Sequence, residues 1–340
     1  MRANAMKTVD ASTFLSAREY LDAAGLAGIP QAYEAQWMAL DSPYSGQVHR
    51  LVFEDEHGIA ARIAVLQPAD GSEALFCFYG RREDLGESVG DAFFSSLKQW
   101  LDFQGIDSLQ GPIEFSTWHP YRFVCEQGPS PWFPGEQPMP DYCFSDFISG
   151  GFHQCARFAS TLVEDIAHSI DNSLARAVDK ATGAFSIDTL TGPDIVETLP
   201  RLYDLSIAIF AENYAYSAIT YEEFYQHYTK ITALDAVVIV AKDNQGPVGM
   251  AFSYNIGPYT AVVGEQTKLT SVLKSIGVHP RARNRHLGYG VSYLTHKLWL
   301  QRGYAQIIHA YMKSDNVSRA MSSQFGRTLR EYALLRWTAA

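Results

Sequence analysis

Four cysteines stand among 340 residues, and no two form a C-x-x-C pair. A disulfide framework needs denser cysteine, and a structural zinc site needs ligand pairs at short intervals, so neither organises this chain. Cys77, Cys125, Cys143 and Cys155 read as buried or idle thiols of a reducing compartment. His153 and Cys155 alternate but bring no further ligand with them, so no metal is expected. No apolar run approaches the roughly 20 residues that span a bilayer. The opening "MRANAMKTVDASTFLSAREYL" has no apolar core of signal-peptide type. A cytoplasmic protein without a membrane partner is the expectation. Excess positive charge is missing too, since the formal net charge is −10. Duplex or RNA binding calls for a wide basic face, so no nucleic-acid partner is expected.

Core-forming material is plentiful, with 47% hydrophobic and 13% aromatic residues. A chain of this length and composition accommodates two domains. The C-terminal half reads as an alternation of strands and helices. "AFSIDTL" (184–190) is strand-like, and "GPDIVETLPRLYDLSIAIF" carries apolar residues at helical spacing with Pro193 near its start. "AVVIVAKDNQGPVGMAFSY" reads as two strands about a turn at Asn244, Gln245 and Gly246. "LTSVLKSIGV" is a further strand, and a helix from about Gly288 to Gln301 ends near Gly303. The strand "AQIIHAYM", the short helix "NVSRAMSSQF" and the strand "REYALLRW" complete the half.

Sliding the chain against itself by 198 residues sets Gly90 on Gly288 and Gly105 on Gly303 without a gap. "ALFCFYG" then falls on "SVLKSIGV", and "SLQGPIEFS" on "AQIIHAYMKS". This internal repeat predicts two domains, 1–165 and 166–340, with a polar linking helix in 163–179. The Pro/Gly-rich segment "EQGPSPWFPGEQPMP" (126–140) is expected to be an irregular loop.

Positive charge collects at one bend. From His279 to Arg330 stand nine Lys or Arg against the single acid Asp315, and three of the arginines lie in "HPRARNRHLGYG". A strand that runs into a short basic loop and then a helix makes an anion site. The first helical turn leaves N–H groups unpaired, the helix dipole adds positive potential, and arginine supplies charge-assisted bonds. The G-x-x-x-x-G-K-[ST] pattern of a P-loop does not occur.

Val278, Pro280, Arg283 and Gly288 resemble the acyl-coenzyme-A loop of the GCN5-related N-acetyltransferases (GNAT), which reads V-x-P-x-x-R-x-x-G-x-G after a strand. In this register His286 stands where the first glycine is expected. A second register, Arg285-x-x-Gly288-x-Gly290, fits R-x-x-G-x-G without exception but lengthens the loop by two residues. The first keeps the Val-x-Pro lead-in and the usual interval to Arg302, Gly303 and Tyr304. The resemblance covers the C-terminal half, and the N-terminal half resembles the same fold with a degenerate loop. It implies an α/β (α+β) architecture of two tandem GNAT-like domains, each a mixed, mostly antiparallel sheet flanked by helices.

The resemblance further implies acetyl-coenzyme A, or another acyl-coenzyme A, as co-substrate in a gap between splayed strands. Its pyrophosphate would lie on Arg283, Asn284, Arg285, His286, Leu287 and Gly288, with Gly290 serving in the second register. The pantetheine would run beside Ile276 and Val278, and Asn316 would meet its distal part. In the N-terminal copy Arg81 and Arg82 are followed by Glu83, Asp84 and Glu87, whose charge would repel a pyrophosphate, so a structural or substrate-lining role is expected there. Trp118, His119, Tyr121 and Arg122 line a substrate pocket or form an aromatic core edge.

Many relatives use a tyrosine as the acid that protonates the departing thiolate, seven positions on from the residue matching Asn316. Here that position is Ser323. Tyr311 and Tyr332 are the available substitutes. Glu212 is the leading general-base candidate, with Glu222, Glu223 and His227 as alternatives and ordered water as another route. Tyr214 belongs to the same tyrosine-rich acceptor region. The expected activity is N-acetyl or N-acyl transfer to a primary amine of a small molecule, amino acid or peptide, by direct attack in a ternary complex. Two rivals stand beside it, an aminoacyl-tRNA-dependent peptide-bond-forming transferase of tandem fold and a non-catalytic acyl-coenzyme-A sensor.

Overall fold

The continuous apolar run Ala236–Ala241 is buried along its whole length, which requires helices or other chain on both faces of its sheet. The computed structural model describes residues 5–21, 31–39, 45–82, 87–171, 178, 184–232, 234–261, 264–283 and 285–339. In chain order these form β1 (Ala5–Thr8), α1 (Ala11–Leu21), α2 (Gln31–Met38), β2 (Gly46–Asp55), β3 (Gly58–Pro68), β4 (Ala74–Arg81), α3 (Glu87–Phe103), β5 (Ser108–Gly111), β6 (Phe123–Glu126), α4 (Tyr142–Ser149), β7 (His153–Val163) and α5 (Ile166–Asp171). There follow β8 (Ser186–Thr191), α6 (Pro193–Phe210), α7 (Tyr221–Thr232), β9 (Ala236–Asp243), β10 (Gly246–Tyr259), β11 (Lys268–Val278), a 3-10 turn (Pro280–Ala282), α8 (Leu287–Gln301), β12 (Gln306–Lys313), α9 (Val317–Ser322) and β13 (Arg327–Thr338). No described helix is long and apolar enough to cross a membrane.

The fold is mixed α/β with mostly antiparallel strands, and it divides into two compact units. The first holds residues 1–125, 135–157 and 332–340, and the second holds 126–134 and 158–331. This division differs from a single boundary near 165. The last strand supplies residues to both units, and so does β7.

The first unit orders its strands β1-β2-β3-β4-β5, with Leu335–Thr338 of β13 on the far side of β5. Its core is aromatic. Phe76 stacks on Phe147 at 4.4 Å, and Phe94, Phe123 and Phe152 surround them. Under α1 and α2 lies a buried ionic triad, in which Glu34 takes Arg62 at 2.6 Å and Arg18 at 2.9 Å.

In the second unit the order is β7-β12-β11-β10-β9-β8. The β9–β10 hairpin closes over Asn244 and Gln245, with Asp243 facing Gly246. α8 packs on this sheet through Leu287, Val291 and Trp299, whose indole N–H donates to Ser253 Oγ at 2.9 Å. α6 reaches β11 because Gly277 has no side chain, since a Cβ there would lie 2.1 Å from Ile209 Cγ2. Residues 127–141 form no helix or strand, as expected for 126–140. Their first part is tied to the second unit, where Arg330 donates to Ser130 O at 2.6 Å and Tyr254 to Pro134 O at 2.9 Å.

The internal repeat is present in the elements themselves. α3 and α8 end at Phe103 and Gln301, exactly the 198-residue offset, and each is followed by a left-handed glycine, Gly105 at φ +69° and Gly303 at φ +86°. β5 and β12 start at the same offset, at Ser108 and Gln306. The two copies differ after that start. "SLQGPIEFS" is not strand throughout, because β5 stops at Gly111 and 112–122 follow an irregular path.

Candidate functional site

β11 and β12 run parallel for only four facing pairs, from Thr270–Gln306 to Leu273–His309. Lys274 is then an extra residue on β11, because Phe252 and Ser253 of β10 face Ser275 and Leu273. This bulge bends β11 at the point where β12 leaves it. β10 accompanies β11 as far as Val278, whereas among the described residues the strand pairing of β11 with β12 stops at Leu273. β12 carries its own irregularity against β7 between His309 and Met312, with Tyr311 left-handed at φ 58°. The two strands therefore open as a fork whose inner edge offers backbone N–H and C=O groups.

Beyond Val278 the chain makes its 3-10 turn. His279 caps that turn by accepting the Arg281 N–H at 3.2 Å. Arg281 turns back to the hairpin and pairs with Asp243 at 3.1 Å, so it braces the bend. Arg283 pairs with Glu212 at 2.6 Å, and the Arg285 guanidinium lies 5.9 Å from the Phe185 ring centre. Asn284 lies outside the described residues. His286 precedes α8 in the left-handed region, at φ 56° and ψ 13°. Glycine occupies such a position without strain, and histidine is one of the few other residues enriched there, which accounts for the departure seen in the sequence.

No His286 side-chain bond caps α8, and its first-turn amides, those of Leu287, Gly288 and Tyr289, have no partner one turn back within the helix. Leu287 is buried against Gly249, whereas a Cβ on Gly288 would meet only Val278 Cγ2, at 3.8 Å. Gly290 is buried in the body of the helix, so the loop ends before it. Ile276 and Val278 are half-buried at the margin of the core that holds Leu287. Asn316 is exposed and opens α9 just after β12.

The acceptor-side residues fall into separate roles. Glu223 and Thr220 form a reciprocal capping box at the start of α7, with Thr220 N–H donating at 2.8 Å, so Glu223 is held by the helix terminus. Glu222 accepts from Gln226 one turn on, at 2.8 Å. His227 Nε2 receives Lys274 Nζ at 2.9 Å, which brings a titratable pair to the bulge of the fork. Sequence reasoning missed Lys274, which looks like an ordinary strand lysine until the bulge is known. Tyr214 lies on the α6–α7 loop with its ring 5.6 Å from Lys313 Nζ. Tyr311 sits on the β12 wall, 6.0 Å from the Phe133 ring. Tyr332 belongs to the first unit, where it is bonded to Glu136.

Trp118, His119 and Tyr121 also belong to the first unit. His119 lies edge-on to Trp37 at 5.0 Å, Trp37 stacks on Phe115 at 4.2 Å, and Arg122 covers the Tyr121 ring at 3.8 Å. The first unit's own fork is closed. β4 and β5 pair at Leu75–Gln110, and Ile113 N–H then continues the contact to Phe76 O at 2.9 Å. Arg81 is bound to Asp146 at 2.6 Å, and Arg82 is bound to Asp55.

Behind the open fork lies a buried polar chain. Ser169 Oγ meets His296 Nδ1 at 2.7 Å, His296 Nε2 meets His309 Nε2 at 2.8 Å, and His309 Nδ1 meets Ser322 Oγ at 2.5 Å. Burial holds the His309 imidazole down at about 4, and burial followed by the neighbouring ring holds His296 well below its usual range. Both rings are therefore neutral. Because Ser169 gives its proton to Ile166 O, His296 donates from Nδ1 and His309 from Nε2. The chain ties α5, α8, β12 and α9 together at the closed end of the fork.

Across its length the chain has the tandem fold of the GCN5-related N-acetyltransferases. It superposes on a tandem GNAT protein from the clavulanic acid biosynthesis pathway with a TM-score of 0.52 and 11% identity, over 99% of both chains. A probable N-acyltransferase of unknown function from Enterococcus faecalis V583 gives 0.55 at 9% identity, over 99% of this chain and 73% of that one. A GCN5-related glucosamine N-acetyltransferase region of a fungal multi-domain GH3 β-N-acetylglucosaminidase gives 0.53 at 14% identity, over 98% of this chain and 38% of that one. No family model and no curated sequence matches the chain.

Proposed function

We propose that this protein is an acyl-coenzyme-A-dependent N-acyltransferase that moves an acetyl group to a primary amine of a small molecule, amino acid or peptide. The observation that carries the reading is the fork itself, a β11 edge that β12 leaves after Leu273 among the described residues, followed along the chain by the first-turn amides of α8 and the guanidinium of Arg283. These groups suit the two halves of coenzyme A. A strand edge bonds an amide-bearing chain as it would another strand, and helix N-terminal amides with arginine suit a pyrophosphate.

In this reading the second unit holds the coenzyme and the first is structural or lines the acceptor. The closed N-terminal fork and the engaged Arg81 and Arg82 support that division. Arg283, Arg285, His286, Leu287 and Gly288 hold the pyrophosphate, Ile276 and Val278 flank the pantetheine, and Asn316 meets its distal part. The thioester supplies an activated acyl carbon for direct attack by the amine. Tyr311 on the β12 wall is the candidate donor to the departing sulfur, and Glu212 is the candidate acceptor of the amine proton.

The test is thiol release from acetyl-coenzyme A across a library of primary amines. Amine-dependent release, lost in Arg283→Ala, is the expected result. Tight coenzyme binding with no release for any amine would reject the catalytic reading.

A further inference from the structure

Glu212 and Tyr214 are two residues apart on the loop between α6 and α7, and they reach opposite prongs of the fork. Glu212 Oε2 lies 2.6 Å from Arg283 Nη1, on the chain leaving β11. The Tyr214 ring lies 5.6 Å from Lys313 Nζ, at the end of β12. The loop is pinned locally by Asn213 N–H to Phe210 O at 2.8 Å and Tyr216 N–H to Asn213 O at 3.2 Å, with Ala215 left-handed between. It therefore forms a short bar across the open mouth of the fork.

The three arginines of the bend are not equivalent behind this bar. Arg281 is held by Asp243 and by the carbonyls of Gly246 and Pro247, and Arg285 faces an aromatic ring. Arg283 is the one whose counter-charge comes from the α6–α7 loop. Its side chain is 39% exposed and that of Glu212 is 69% exposed, so the pair is accessible to a competing anion.

We propose that Glu212 is a built-in competitor for the coenzyme site, a carboxylate that latches the α6–α7 bar across the fork until a pyrophosphate takes Arg283 from it. This inference rests on the coenzyme reading above and adds to it an order of events. The dianionic pyrophosphate bonds Arg283 more strongly than one carboxylate does, and its charge repels Glu212 from the same guanidinium. Release of Glu212 frees both the mouth of the fork and a carboxylate able to receive an amine. The amine's partner carboxylate is thus parted from Arg283 only after the coenzyme has bound.

A latch has a sign that a merely supportive residue lacks, because removing it strengthens binding. The experiment is calorimetric titration of coenzyme A into the full chain and into Glu212→Gln, Arg283→Ala and the double variant at low salt. The expected result is binding about two- to fivefold tighter for Glu212→Gln, the range that an exposed ion pair commands. In the Arg283→Ala background the same substitution produces no gain. Unchanged or weaker binding by Glu212→Gln overturns the latch, and so does an equal gain in both backgrounds. Absence of coenzyme binding by the unmodified chain rejects the coenzyme reading and the latch with it.

Discussion

Leu273 and His309 are the last residues at which β11 and β12 face each other, and each strand turns irregular immediately beyond them. Lys274 bulges on one prong and Tyr311 turns left-handed on the other. The His309 ring then runs backward into the buried chain through His296, while the opposite side of the pair opens into the fork. A single facing pair thus separates the packed interior of the second unit from its candidate site.

Gly277 and Gly288 predict opposite responses to the same change. Gly277→Ala forces a methyl to within 2.1 Å of Ile209 and is expected to destabilise by about 1–3 kcal/mol through overpacking. Gly288→Ala meets only ordinary contact at 3.8 Å and is expected to leave stability within about 1 kcal/mol while weakening coenzyme binding. Denaturant midpoints beside coenzyme titrations separate the two effects.

The buried imidazoles predict an acid-sensitive fold. An unfolded histidine takes its proton near 6.5, whereas folded His309 takes it only at about 4. Between those values the unfolded chain holds more protons, so this contribution is whole above about pH 6.5 and is lost as pH falls toward 4. For His309 the span corresponds to about 3 kcal/mol. Urea midpoints at pH 7 and pH 5 should fall more for the unmodified chain than for His296→Gln/His309→Gln. Equal falls would contradict the assignment.

Glu34 predicts a large loss in the first unit. Its carboxylate and the Arg62 guanidinium are both fully buried, so Glu34→Ala removes the counter-charge of a buried cation. A loss of about 3–5 kcal/mol is expected, read as a lower denaturation midpoint. Replacing Glu34 and Arg62 together by apolar residues should recover much of it.

Tyr311 predicts a kinetic effect without a binding effect. Tyr311→Phe keeps the ring beside Phe133 and removes only the hydroxyl. Turnover is expected to fall by about 10²-fold or more at unchanged coenzyme affinity, as for loss of a general acid. Unaltered turnover would remove Tyr311 from the reaction.

Much of the second unit is legible in sequence because its signals are local. The alternation of strand and helix, the turn at Asn244 and Gln245, and the basic bend all follow from neighbours along the chain. The capping box Thr220-x-x-Glu223 was equally local and would have withdrawn Glu223 from the list of bases. What stays illegible depends on partners far apart in sequence. The Lys274 bulge needs the β10 register, the Arg283–Glu212 pair spans 71 positions, and the His296–His309 contact needs α8 laid on β12. The first unit shows the same limit, since Asp146, which holds Arg81, lies 65 positions away in sequence.

The most direct measurement is a crystal of the full chain soaked with acetyl-coenzyme A. The account predicts the pyrophosphate on the amides of residues 285–288 beside Arg283, the pantetheine along Lys274–Val278, and Glu212 turned away from Arg283. Coenzyme at the N-terminal loop beside Arg81, or outside the fork of β11 and β12, would contradict it.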